Sequence, residues 1–243
     1  MPFSETAHDH PVAARSVAAG SAEPTVEPAW RARALRRSLE PARARSVERL
    51  ERFVQAARDL ADESGSAAFT VPQLAARAGL SLKTFYRCFP GKDELLLAVL
   101  EDDSRIGAQL LGNAVDAHAD PASRLRAYFD AIFGMVALPG AAGYAGVLVR
   151  EHRRLSEDHP EELRGALAPM VELLAREIAG AVDAGLARST DVGRDAETVF
   201  GLLLAGIHDV TCGRGDAREL ASYLWRFCWG GLRGDDQDGR PGG

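Results

Sequence analysis

The stretch FTVPQLAARAGLSLKTFYRCFPGKDELL, residues 69–96, decides the fold. Thr70 stands where a helix N-cap belongs, directly before VPQLAARA, whose proline suits a first turn. Leu74, Ala75 and Ala78 fall at helical spacing on one face. Gly79 stops that helix, because glycine enters the left-handed turn conformation without steric cost. Ser81 is a second N-cap, and the helix that it opens must stop near Phe89, since Pro90 follows. Gly91-Lys92-Asp93-Glu94 then starts a longer helix, with acids in its first turn where the helix dipole favours them. Two short helices across a tight turn make a helix-turn-helix pattern.

The aromatics and cations of this stretch divide into two sides. Phe85 and Phe89, with Leu74, Ala75 and Ala78, are expected to bury against a preceding helix and hold the crossing angle. The second helix is then free to lay its N-terminal part in a major groove. Hydroxyls, a tyrosine OH, lysines and helix N-termini are the groups that fix a protein to phosphates. Charge supports this division once it is taken by region. The net charge is −6, yet residues 31–92 carry 13 Lys and Arg against 6 acids, giving +7. Residues 93–243 carry 15 against 25, giving −10. One part is suited to meet phosphate while the rest stays away from it.

Upstream, Val47, Leu50, Val54, Ala57 and Ala61 repeat at threes and fours and predict a first helix over 43–63. Residues 1–42 read as a disordered, Arg-rich N-terminal arm. Its WRARALRRSLEPARARS segment is either a short helix or an unstructured leader, and it either reaches a minor groove or neighbouring phosphates or hangs free. Downstream, helical period predicts further helices over 92–117, 121–138, 143–157, 160–187, 192–212 and 216–232. The tail 233–243 reads as disordered. The expectation is an all-α chain of about nine helices, with a DNA-binding domain at 43–92 and an effector-binding and dimerisation domain at 93–232.

Other classes lose ground. No apolar run approaches the roughly 18 residues of a membrane span, and the N-terminus lacks the basic and apolar regions of a secretory signal. Cys88, Cys212 and Cys228 are odd in number and far apart, which fits a reducing cytoplasm rather than a disulfide framework. His152, His159 and His208, with Glu151 and Asp209, lie on different helices without an i,i+4 histidine pair, so no metal site is expected. There is no nucleophile motif, HExxH or P-loop, and so no enzyme or cofactor is expected.

FTVPQLAARAGLSLKTFYRCFPGKDELLLAVLE resembles the DNA-binding domain of the TetR family of bacterial transcriptional regulators. The family pattern is matched at Thr70, Leu74, Ala75, Ala78, Gly79, Ser81, Thr84, Tyr86, Phe89, Lys92 and Leu95, whereas Cys88 stands where histidine is common. The resemblance implies a phosphate contact at Thr70 and a recognition helix capped by Ser81. It implies that Leu82, Lys83 and Thr84 face the groove, that Tyr86 and Lys92 grip phosphates, and that Arg87 touches backbone or base. The last two predicted helices are apolar over wide arcs, so they must bury two faces. The resemblance makes one of these the interface of a homodimer, with Leu203, Gly206, Ile207, Val210, Leu220, Leu224 and Phe227 in it.

The implied partners are double-stranded DNA carrying a near-palindromic operator, a second copy of the chain, and a small-molecule effector; no membrane is expected. For a mainly apolar effector the candidate contacts are Gln109, Asn113, Tyr128, Phe129, Phe133, Tyr144, His152, Met170 and Leu174, with Leu110 and Met135 nearby. The expected function is a sequence-specific transcriptional regulator, a repressor released from its operator by that ligand. An architectural, sequence-indifferent DNA binder and a DNA-targeted enzyme are the alternatives.

Overall fold

A computed structural model describes residues 29–234, apart from the side chains of 31–36 and 38. The described residues form nine helices and no strand. They are α1 (Ala29–Ser64), α2 (Val71–Ala78), α3 (Leu82–Cys88), α4 (Lys92–Asp116), α5 (Pro121–Val136), α6 (Ala141–Asp158), α7 (Pro160–Asp183), α8 (Val192–Thr211) and α9 (Ala217–Arg233). The all-helical expectation holds, and most predicted ends fall within a few residues. Disorder expected in 1–28 and 235–243 lies outside the described residues.

One expectation is corrected. Residues 29–42 were expected to be part of a disordered arm, but α1 begins at Ala29 and carries Pro41 inside it. The run of Ala, Arg, Leu and Glu has high helix propensity. Pro41 is exposed, so water can satisfy the carbonyl that loses its helical partner. The chain divides into two compact units at Arg45/Ser46, and everything described below lies in the second.

Phe53 is the hub on which the two short helices turn. Its ring meets Phe85 edge-on at 5.4 Å and Phe89 at 6.2 Å, and such pairs add about 0.5–1.5 kcal/mol each beyond their buried area. Leu74, Ala75 and Ala78 bury against the same cluster. That core continues through Leu95, Leu96 and Val99 of α4 to Val147 and Leu155 of α6 and Leu163 of α7. The helix-turn-helix is therefore seated on the helices behind it by continuous apolar packing.

A second core joins α4, α5, α7, α8 and α9. Phe129 meets Trp225 edge-on at 5.7 Å, and Trp225 stacks on Trp229 at 5.0 Å. Arg124 of α5 donates to buried Glu177 of α7 at 2.7 and 3.0 Å and to Asp116 of α4 at 2.9 Å. A buried carboxylate of this kind is tolerated because it is paired and hydrogen-bonded. α8 comes close to its neighbours at Gly206, where a Cβ would stand 2.7 Å from Leu224 and 2.8 Å from Phe133.

No single described helix is long and apolar enough to cross a membrane; α5 and α6 pass such a test only as a pair bent by 110°.

Candidate nucleic-acid interface and the cavity behind it

Local chemistry sets the geometry of the reading face. Thr70 and Gln73 form a reciprocal capping box at the start of α2. The Gln73 N–H donates to Thr70 Oγ1 at 3.3 Å, and the Thr70 N–H donates to Gln73 Oε1 at 2.8 Å. At the other end Gly79 adopts φ 63° and ψ 34°. Its N–H donates to the Ala76 carbonyl at 3.1 Å, and the Leu80 N–H donates to that of Ala75 at 3.0 Å. A second constraint acts at Gly79. Arg52 of α1 donates to the carbonyls of Ala78 at 2.5 Å and Gly79 at 3.3 Å, and a Cβ on Gly79 would stand 2.8 Å from that guanidinium.

Ser81 caps α3 by accepting the Thr84 N–H at 3.1 Å, and its hydroxyl lies 2.9 Å from that of Thr84. Phe85 and Phe89 are buried, while Ser81, Leu82, Lys83, Tyr86 and Arg87 are exposed and Thr84 is half-buried. Tyr86 keeps 60% of its surface and Leu82 44%, unusual values for such side chains beside a packed core. Lys83 and Arg87 enter no ion pair among the described residues. Arg77, by contrast, is committed to Glu63 at 2.7 and 2.5 Å, which holds the Glu63 carboxyl below its ordinary pKa. Cys88 is a half-buried free thiol.

Lys92 has scaffold contacts that the sequence did not show. Its ammonium donates to the Ala67 carbonyl and lies 4.6 Å from the centroid of the Phe69 ring, and burial pushes its pKa down. It ties the start of α4 to the segment entering α2, and as a half-buried ammonium with three N–H donors it keeps capacity for a further acceptor.

Behind this head, α4 to α8 line a partly open cavity of about 400 Å³. Leu100, Leu110, Ile132, Met135, Leu148, Met170 and Leu204 give it an apolar wall. Of the nine expected contacts, Tyr144, His152 and Met170 line it. The others do not. Phe129, Phe133 and Leu174 are core, and Tyr128 is fully buried with its OH donated to the Met170 carbonyl at 3.0 Å. Gln109 and Asn113 face a separate polar hollow between α4 and α7, because they lie on the other side of α4.

Sequence reasoning missed Asp103 and Ser104, which line the cavity. Asp103 accepts Arg58 Nε of α1 at 2.9 Å on Oδ1 and the Tyr144 OH of α6 at 2.5 Å on Oδ2. Arg58 also donates to Asp102 at 2.6 Å. Burial pushes the Asp103 carboxyl up in pKa, against the opposing pull of Tyr144 and Arg58. Burial likewise lowers the pKa of His152, favouring a neutral imidazole. The available signal was the register Leu100, Asp103, Ser104, Gly107, Leu111, which sets both polar residues on the inward face of α4.

The expected interface set also divides. Leu203, Gly206, Ile207 and Leu224 are buried within one chain, Val210 and Leu220 are half-buried, and Phe227 is exposed. The helices do carry two apolar stripes, but the predicted residues are mostly on the inner one. On the outer one Tyr223 and Phe227 stack at 6.4 Å, with Phe227 61% exposed. No group of three or more His, Cys, Asp or Glu among the described residues could hold a metal ion.

Comparison with known proteins agrees with this geometry. The profile for bacterial regulatory proteins of the tetR family matches residues 53–99. The fold is similar to that of the transcriptional regulator FadR from Bacillus subtilis, solved with stearoyl-CoA. That similarity has a TM-score of 0.62 and 17% identity over 75% of this chain and 98% of that one. It is similar also to the fatty acid degradation regulator FadR from Bacillus halodurans, with a TM-score of 0.60 and 18% identity over 76% and 96% of the two chains. RolR, solved with resorcinol, gives a TM-score of 0.58 and 19% identity over 76% and 89%. No curated protein sequence matches significantly. Residues 53–99 thus carry the helix-turn-helix domain of the tetR family of bacterial regulatory proteins, on an all-helical fold similar to that of solved transcriptional regulators.

Proposed function

We propose that this chain is a dimeric repressor that reads a near-palindromic operator through α3 and leaves it when a small, mainly apolar ligand occupies the cavity. The observation that carries the reading is the two-sidedness of α3. One side is fixed by aromatic packing; the other offers Leu82, Lys83, Thr84, Tyr86 and Arg87 outward. A lysine or arginine on guanine and an apolar contact with a thymine methyl are the ordinary specific contacts of such a face. Thr70 and the N-terminus of α2 would add phosphate contacts.

The test is competition between a duplex selected from a random library and bulk random DNA, at fixed salt. Strong preference for the selected duplex is expected; equal affinity for all duplexes would favour the architectural reading. Lys83→Ala should cost about 1–3 kcal/mol and relax preference at its base position. Tyr86→Phe should cost about 1 kcal/mol on every duplex alike, because a phosphate hydrogen bond carries no sequence information. A parallel binding assay on operator variants checks both.

The outer stripe of α8 and α9 is the proposed dimer face, with Tyr223 and Phe227 at its centre and Gly201 and Ala205 allowing close approach. An isologous four-helix contact would set two recognition helices about one DNA turn apart. Phe227→Glu should yield a folded monomer by sedimentation and lose operator affinity; a persistent dimer would refute this face. Two regulators of similar fold hold stearoyl-CoA and resorcinol, which supports reading the cavity as a ligand site. Such a ligand weakens operator binding by favouring a conformation with wrongly spaced reading heads.

A further inference from the structure

The polar part of the cavity wall has a definite chemistry. Ser104 is 2% exposed, and its Oγ has no hydrogen-bond partner. A buried hydroxyl left unpaired is destabilising, and such a group at a cavity wall points to a partner that arrives with a ligand. Beside it stand the Asp103 carboxylate and the Tyr144 hydroxyl, and His152 also lines the cavity. Among the described residues no lysine or arginine lines it. Arg58, the cation bonded to the wall residue Asp103, is held by Asp103 and Asp102. A carboxylate or phosphate head entering here would meet a carboxylate and find no free cation. A hydroxyl or an amine would find acceptors.

We propose that the cavity selects a compact apolar molecule carrying one hydrogen-bond-donating head, a hydroxyl or an amine, and seats that head on the Ser104–Asp103 shelf. Ser104 can accept from the head or donate to a hydroxyl oxygen, and Asp103 accepts from it in competition with Tyr144. The volume of about 400 Å³ lies at the small end of ligand sites, which suits a compact ligand. This inference rests on reading the cavity as the effector site.

The experiment uses three probes of equal chain length, octanol, octylamine and octanoate, with the full-length protein. Binding is read by calorimetry, and release is read from a selected operator duplex. Octanol and octylamine should bind, and octanoate should bind at least tenfold more weakly. Ser104→Ala should weaken the alcohol and the amine about tenfold while the ligand-free variant unfolds no lower than the parent, since the lost hydroxyl bonded nothing. Octanoate binding as well as the others, no probe binding at all, or Ser104→Ala leaving affinities unchanged would each overturn the proposal. Operator preference is measured without any probe, so its loss would mark failure of the regulator reading and not of the head-group assignment.

Discussion

Phe85→Ala is expected to abolish operator binding and to melt the helix-turn-helix while leaving the α4–α9 bundle folded. Phe85 is fully buried and meets Phe53 at 5.4 Å and Phe89 at 5.8 Å. Truncating a buried phenylalanine costs about 3–5 kcal/mol, through lost burial and the cavity left behind. α3 spans only Leu82–Cys88, too short to be stable without tertiary packing. The loss should fall on α3 and its turn first, and operator affinity should drop by a factor of about 100 or more. Hydrogen exchange across 70–91, with operator titration, checks this. Phe85→Leu keeps most of the apolar volume and should lose far less. Near-normal affinity in Phe85→Ala would show that the packed side of α3 has been misassigned.

The second large effect is expected at Arg58. Its guanidinium bridges α1 to Asp102 and Asp103 of α4, with Arg58 and Asp103 each keeping only 19% of side-chain exposure. Breaking a fully buried pair costs about 3–5 kcal/mol and an exposed one under about 1. For this partly covered bridge Arg58→Ala should cost about 2–3 kcal/mol, because Asp103 would be left without its cation. Denaturant unfolding measures this. Asp103→Asn in the Arg58→Ala background should then cost little, and the difference from Asp103→Asn alone gives the coupling. Operator binding should survive in the double variant, whereas its response to ligand should fall, since Asp103 no longer offers the head a carboxylate and Arg58 no longer joins the cavity wall to α1. Full ligand response in that variant would exclude Arg58 as the link.

How much of this was legible in the sequence depends on the range of the physics. The helix-turn-helix was readable because its determinants are local: Thr70 and Ser81 cap within three residues, Gly79 turns where it stands, and Pro90 stops α3. The cavity was not. Phe129, Phe133 and Leu174 fill the core while Leu110, Leu148 and Leu204 line a void, and these residues differ in neither hydropathy nor period. The choice between filling and lining is made by five helices meeting. The two apolar stripes of α8 and α9 posed the same problem, for periodicity reveals two faces without saying which one turns inward. Lys92 shows a third limit. Nothing in the sequence around it shows that its ammonium also meets the carbonyl of Ala67 and the ring of Phe69.

Arg52 and Arg58 lie six residues apart on α1, about 9 Å at 1.5 Å per residue. One clamps the carbonyls of the Gly79 turn and the other grips the carboxylate at the cavity wall. One helix therefore touches both the cavity wall and the turn before α3. On the proposed effector reading, that spacing makes α1 the shortest mechanical path from cavity to reading head, and its ratio is fixed by where two arginines sit along one helix.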